Sequence, residues 1–210
     1  MTESDKNWDK VFAKSDMVDA SKVSFKNRYG IELTGDLYLP KGKASEKLAA
    51  IAVSGPFGAV KEQASGLYAQ TMAERGFAAL AFDPSYTGES GGEPRLVASP
   101  DINTEDFSAA VDFLSNLPNI DAERIGIIGI CGFGGFALNA AAIDTRIKAT
   151  LTSTMYDMSR VNAKGYFDAM GEEERYALKQ KLNAQRSVDF KNGTYEHLDR
   201  KRLKPVCRIS

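Results

Sequence analysis

Three short apolar runs, each followed by a loop rich in turn formers, restrict this chain more than any other feature of its sequence. LAAIAV (48–53), FAALAF (77–82) and IGIIGI (125–130) are six residues each and lack polar alternation, so they read as strands buried on both faces. A fourth run, IKATLTST (147–154), continues the series as a further core strand. Helical segments lie between them. Residues 62–75 carry Leu67, Met72 and small residues at helical spacing and stop at Gly76; residues 103–116 align Phe107, Val111 and Leu114, with Pro118 beyond; residues 132–143 form the third helix. Strands alternating with helices give a mostly parallel sheet covered on both faces. Ahead of them, 23–26 and 31–39 alternate apolar and polar around Asn27-Arg28-Tyr29-Gly30, as a half-exposed hairpin does, and Pro40 ends the second strand. The expected fold is α/β: a three-layer αβα sandwich, its mostly parallel sheet preceded by an antiparallel hairpin.

Beyond residue 155 the pattern changes. Residues 156–192 are charged and helical, and GEEERYALKQKL within them is amphipathic; it reads equally as a cap over the sheet edge or as a solvated surface helix. The chain thus divides into a polar N-terminal segment (1–20), an α/β core (21–155), a helical cap or surface segment (156–192) and a basic tail (193–210). A formal net charge of -1 excludes a general attraction to nucleic acid or anionic membrane. Two cysteines, Cys131 and Cys207, are too few for a disulfide framework, and no apolar window resembles a signal peptide or a membrane span, so a cytoplasmic location is expected. No grouping of His, Cys, Asp and Glu has metal-ligand spacing, and neither metal nor cofactor is expected.

The loop after IGIIGI carries the chemistry. RIGIIGICGFGGFA (124–137) puts Cys131 where a strand turns sharply into a helix, among Gly129, Gly132, Gly134 and Gly135. Functional groups gather past the carboxyl ends of parallel strands, and a helix N-terminus favours negative charge there. A nucleophile on such a turn needs small neighbours, because its backbone is strained and the next helix must pack closely on the strand. On its own, a free cysteine is more often a small buried hydrophobe.

Four collinear stretches, SGPFGAVKEQASGLYAQ, GFAALAFDPSYTGESGGEPR, RIGIIGICGFGGFALNAAAIDTRIKA and TSTMYDMSRV, resemble the front half of an α/β-hydrolase. More narrowly, they resemble the dienelactone-hydrolase-like and Xaa-Pro dipeptidyl-peptidase-like group, which includes bacterial hydrolases and fungal polyketide acyltransferases. The likeness runs from about residue 23 to 192. It implies a small-molecule acyl substrate (an ester, lactone or thioester), Cys131 as nucleophile, and an oxyanion hole from the backbone N–H groups of Gly132 and of Phe57 in the SGPFG loop; Pro56 has no N–H to give. Two departures stand out. The elbow pattern Gly-x-nucleophile-x-Gly ends here on Phe133, which leaves close packing to Gly134 and Gly135 and predicts a distorted elbow. The acid and histidine of such enzymes come from later strands and loops, whereas the one histidine here, His197, lies in the tail beside Asp199.

The expectation is therefore an incomplete α/β-hydrolase fold, truncated after about Thr194, with weak or absent turnover and an uncovered sheet edge that favours self-association. Two alternatives stay open. One is a non-catalytic fragment or binding module. The other is a dinucleotide-binding domain, since Gly132 to Ala137 fits G-x-G-x-x-A with Asp157 beyond the next strand; the leading hairpin is foreign to that fold. Asp83, Tyr86, Glu89 and Ser90 border the same sheet edge and either shape a pocket or form a glycine-rich turn. Glu172 to Arg175 read as a helix start, and Arg200, Lys201, Arg202, Lys204 and Arg208 as a basic tail.

Overall fold

A computed structural model describes residues 8–43 and 46–196. His197, Asp199, the basic cluster and Cys207 lie outside the described residues. The strands are β1 (Val18–Lys26), β2 (Glu32–Pro40), β3 (Leu48–Ser54), β4 (Ala78–Phe82), β5 (Ile120–Ile130) and β6 (Ile147–Ser153). The helices are α1 (Ala64–Glu74), α2 (Pro100–Ser115), α3 (Phe133–Ile143), α4 (Met158–Lys164) and α5 (Glu172–Asn192). The chain falls into two compact units that divide after Met158.

The first unit holds one six-stranded sheet in the order β1-β2-β4-β3-β5-β6. Strands β4, β3, β5 and β6 run parallel; β1 and β2 form the antiparallel hairpin, which joins through β2 and β4. This is the α/β fold that the alternating runs predict. Helices α2 and α3 cover one face, where Leu80, Phe82, Ile125 and Ile127 meet Phe107, Val111, Leu114 and Ala137. On the other face α1 packs through Ala69 and Ala73 against Ile51, Val53, Ala79, Ala81 and Ile128. An aromatic chain runs through the first of these layers: Phe82 to Phe107 at 5.4 Å, Phe107 to Phe133 at 6.5 Å, and Phe133 to Phe57 at 5.0 Å between ring centroids. Such pairs contribute about 0.5–1.5 kcal/mol each beyond the area they bury.

Four details differ from expectation. Strand β1 starts at Val18, five residues before the alternating pattern does, with its register running from Val18 opposite Pro40 to Lys26 opposite Glu32. An outer strand is held by its ladder, so Asp19 to Lys22 can stay exposed, three of the four being polar. The segment before it is also more than a polar leader, because Trp8 and Phe12 pack on the α1 side of the core. In α1, Leu67 is 45% exposed, and the buried face is Ser65, Gly66, Ala69, Gln70 and Ala73. The helix lies too close for larger groups: a Cβ at Gly66 would sit 2.3 Å from the Lys61 carbonyl oxygen and 2.9 Å from Cζ of Phe12. Finally, β6 is an edge strand among the described residues, not a core strand. Leu151 is 50% exposed, and α1 packs mainly on β4 and β3. An open apolar groove of about 570 Å³, lined in part by Met72, Phe77, Ile128 and Leu151, remains there.

The second unit contains the rest of α4, a 3-10 turn at Tyr166–Asp168, and α5. Arg160 pairs with Asp168. Helix α5 opens with Glu172, Glu173 and Glu174 in its first turn, Glu174 accepting from the Gly171 N–H at 3.0 Å, and ends at Gly193 in the left-handed region. Acidic residues first and glycine last suit the orphan N–H and C=O groups of the two ends. None of its residues is buried. Among the described residues no helix is long and apolar enough to cross a membrane.

Candidate active site

Cys131 follows β5 directly with φ 58°, a left-handed backbone that a side chain-bearing residue seldom adopts. Its N–H donates to the Ser153 carbonyl at the end of β6 (2.8 Å), and its own carbonyl accepts from the Gly134 N–H (3.0 Å). The side chain is half-buried on the α1 side. From that side Tyr68 of α1 shares a hydrogen bond with the Ser153 hydroxyl at 2.8 Å, so α1, β6 and the turn brace one another.

The glycines sort by what surrounds them. A Cβ at Gly129 would lie 2.4 Å from the Phe133 carbonyl oxygen and 2.7 Å from Cβ of Ala137, so Gly129 is what lets α3 cross closely over β5. Phe133 has room because Gly55 faces it: a Cβ at Gly55 would be 2.8 Å from that of Phe133. The sharp turn is therefore kept despite Phe133, with the compensation coming from another loop. Gly135, expected to carry close packing, has nothing within 4 Å of a would-be Cβ.

Gly132 and Phe57 come together. Gly132 immediately precedes α3, and a Cβ there would lie 2.1 Å from Cε2 of Phe57, so the ring rests on the Gly132 backbone. Among the described residues, neither the Gly132 nor the Phe57 N–H donates to a backbone carbonyl. The Gly132 and Phe57 loops thus meet beside the left-handed turn at Cys131. The same contacts weigh against a dinucleotide turn. Gly134, the glycine that would admit a pyrophosphate, lies under Met155, whose Cγ would be 2.7 Å from an added Cβ. Asp157, exposed beyond β6, directly precedes α4.

One strand over, past β3, the end of β4 is built from charge. Asp83 accepts from the Lys61 N–H (2.8 Å) and the Glu89 N–H (3.0 Å). The Lys61 ammonium, wholly buried, lies 3.1 Å from Asp83 and also pairs with Glu62 and Glu89. Burial alone would lower the Lys61 pKa, but hydrogen bonds to Glu62 and Glu89 and the Asp83 charge hold it above the ordinary lysine value. Ser90 donates to the Asp83 carbonyl (2.6 Å) and accepts from Thr34 N–H (2.8 Å), and the Tyr86 N–H donates to Gly91 O (2.7 Å). These residues, which border the expected edge, brace their own loop.

A second buried group there is Asp106 of α2. Its carboxylate accepts from Asn27 (2.9 Å), the Ser85 hydroxyl (2.7 Å), the Ser85 N–H (2.8 Å) and Asn103 (3.1 Å), and so ties the hairpin turn and the β4 loop to α2. Burial pushes its carboxyl upward while the four donors oppose that shift. The sequence reading missed both Asp106 and Lys61. Asn103 and Asp106 stand three apart among the apolar positions that Phe107 and Ala110 continue, a spacing that marks polar groups on a buried face. Lys61 leaves no such mark, since a lone lysine in a polar loop is ordinarily exposed.

The profile of the X-Pro dipeptidyl-peptidase (S15 family) matches residues 29–203. The chain is 65% identical over 187 residues to the uncharacterized protein PA2218 of Pseudomonas aeruginosa, covering 89% of this chain and 50% of that one. The crystal structure of PA2218 superimposes with a TM-score of 0.87 over 92% of this chain and 60% of that one, at 63% identity. The thiohydrolase aneE of Aspergillus aculeatus is 37% identical over 132 residues, 63% of this chain and 40% of the enzyme. The α/β hydrolase GrgF of Penicillium sp. sh18 superimposes with a TM-score of 0.71 at 26% identity, over 85% of this chain and 57% of that one. The chain spans about half the length of the curated relatives it matches.

Proposed function

The chain belongs to the X-Pro dipeptidyl-peptidase (S15) family of α/β-hydrolases, and from that premise we propose that it carries an acyl-transfer site for thioesters, esters or lactones in which Cys131 is the nucleophile. The observation that carries this reading is the left-handed turn at Cys131, held by the Ser153 carbonyl and set beside the unengaged N–H groups of Gly132 and Phe57. Among the acyl compounds, a thioester is favoured by the thiohydrolase likeness.

The Cys131 sulfur, its proton lost to solvent, attacks the acyl carbonyl carbon and forms a C–S bond. The carbonyl oxygen takes up the electron pair and is met by the N–H groups of Gly132 and Phe57. Collapse breaks the bond to the leaving thiolate or alkoxide, which takes a proton from water and departs. Release of the acyl group requires a base to activate water or another acceptor. No histidine occurs among the described residues, and we therefore read this chain as one that acylates once and turns over poorly. Small-molecule acyl compounds are its partners in this reading.

The test is intact-mass analysis after exposure to a chromogenic acetyl thioester, with Cys131→Ala alongside and iodoacetamide as a check on thiol access. One acyl group per chain, absent from Cys131→Ala, is the expected result. Steady release of the chromophore over many equivalents would overturn the single-turnover part. A Cys131 that iodoacetamide labels but no thioester acylates would overturn the whole reading and favour a binding module.

A further inference from the structure

The turn at Cys131 is bordered by three apolar side chains from three places in the chain. A Cβ at Gly132 would meet Cε2 of Phe57 at 2.1 Å and Sδ of Met158 at 3.1 Å; a Cβ at Gly134 would meet Cγ of Met155 at 2.7 Å. All belong to the first unit. Phe57 and Met158 are half-buried, and Met155 is 43% exposed. Met155 reaches its place through Thr154, which sits at φ 52° directly after β6. A β-branched residue in the left-handed region is strained, and such strain collects at functional sites. Cys131 and Thr154 thus hold the same unusual backbone at the ends of neighbouring strands.

The geometry constrains what can reach the sulfur. A carbonyl carbon within bonding range of Cys131, its oxygen on the Gly132 N–H, carries its acyl substituent close to the groups that border Gly132 and Gly134. Those groups are a phenyl ring and two thioethers. Methionine is flexible and polarizable and adapts to unbranched chains, while a carboxylate pressed against these groups would lose part of its water and gain no partner from them.

We propose that Phe57, Met155 and Met158 form an apolar rim that selects substrates with an unbranched, uncharged apolar acyl chain over acetyl and over acids with a terminal carboxylate. This rests on the reading of Cys131 as nucleophile. The step is the transfer already described: the C–S bond to the donor thiol breaks, the C–S bond to Cys131 forms, and the donor thiol leaves with a proton.

The experiment uses the full chain with acetyl, octanoyl and succinyl thioesters of N-acetylcysteamine, reading the initial rate of Cys131 acylation by intact mass at equal low concentrations. Octanoyl should exceed acetyl by roughly tenfold or more, the discrimination that a few methylenes in an apolar site provide, and succinyl should fall below acetyl. Met155→Ser and Met158→Ser should each lower the octanoyl-to-acetyl ratio several-fold, with folding followed by circular dichroism. Acylation of Cys131 at equal rates by all three donors, or an octanoyl preference that survives both substitutions, would overturn the rim and leave the nucleophile standing. Absence of acylation by every donor, with iodoacetamide still labelling Cys131, would overturn both.

Discussion

The carboxyl ends of β4 and β5, separated by β3 alone, are built on opposite principles. Past β4, loops are held by buried charge: Asp83 with Lys61, and Asp106 with Asn27, Ser85 and Asn103. Past β5, the turn is held by backbone hydrogen bonds, glycines and aromatic rings, with no ion pair at the turn among the described residues. A satisfied buried carboxylate fixes distant segments through directed bonds, each of which leaves an unpaired donor if the acid is lost. A glycine fixes nothing by itself; it permits a close approach that any side chain would block. The contrast teaches that the loops past β4 are locked by directed bonds to buried charge, while the turn past β5 depends, among the described residues, on close backbone approach.

The difference can be broken first at its charged side. Asp106→Ala should be the most damaging change, about 3–5 kcal/mol, because it strands the donors of Asn27, Ser85 and Asn103 in a dry site; urea unfolding followed by Trp8 fluorescence measures it. Asp106→Asn, which keeps an acceptor, should recover part of the loss. Equal stability of wild type and Asp106→Ala would show that the network is idle.

On the glycine side, Gly129→Ala should cost about 1–3 kcal/mol, as overpacking against a helix backbone does. It should also slow acylation of Cys131, since α3 must move off β5 to make room. A thermal melt unchanged from wild type would remove Gly129 from the account of the turn.

The smallest effect concerns pH. Hydrogen bonds from Lys22 and Lys61 hold the Glu89 carboxyl below its ordinary value of 4.5. A folded value below the unfolded one means that Glu89 contributes stability above pH 4.5 and loses it as pH falls through the depressed value. Half-exposed as it is, the contribution should be under about 1 kcal/mol. The melting-temperature gap between wild type and Glu89→Gln should be largest near neutrality and close as acid is added; a gap that widened in acid would reverse the sign.

Much of the fold was legible in the residues. The β5 turn could be read because β-branched runs, a cysteine and glycines leave few other local structures. The extent of β1 could not, since Asp19, Ser21 and Lys22 are polar and their strand is imposed by β2. Leu67 was placed inward by helical spacing, yet the sheet admits only the small face of α1. Of the site, Cys131, Gly132 and Phe57 lie together, although the contact between Gly132 and Phe57 joins loops 75 residues apart in sequence. The compensation of Phe133 by Gly55 is a similar case, as is the anchoring of Ser153 by Tyr68.

By itself the sequence determined the α/β alternation, the parallel strands and the sharp turn at Cys131, because hydrophobic period, strand length and glycine placement act over a few neighbouring residues. Only the tertiary structure decided which glycines carry close contacts, that Lys61 is buried among carboxylates, that β6 stands at an edge, and which side chains border the cysteine. Each of these depends on what another element brings into contact across the sheet, and a local pattern holds no record of its partner.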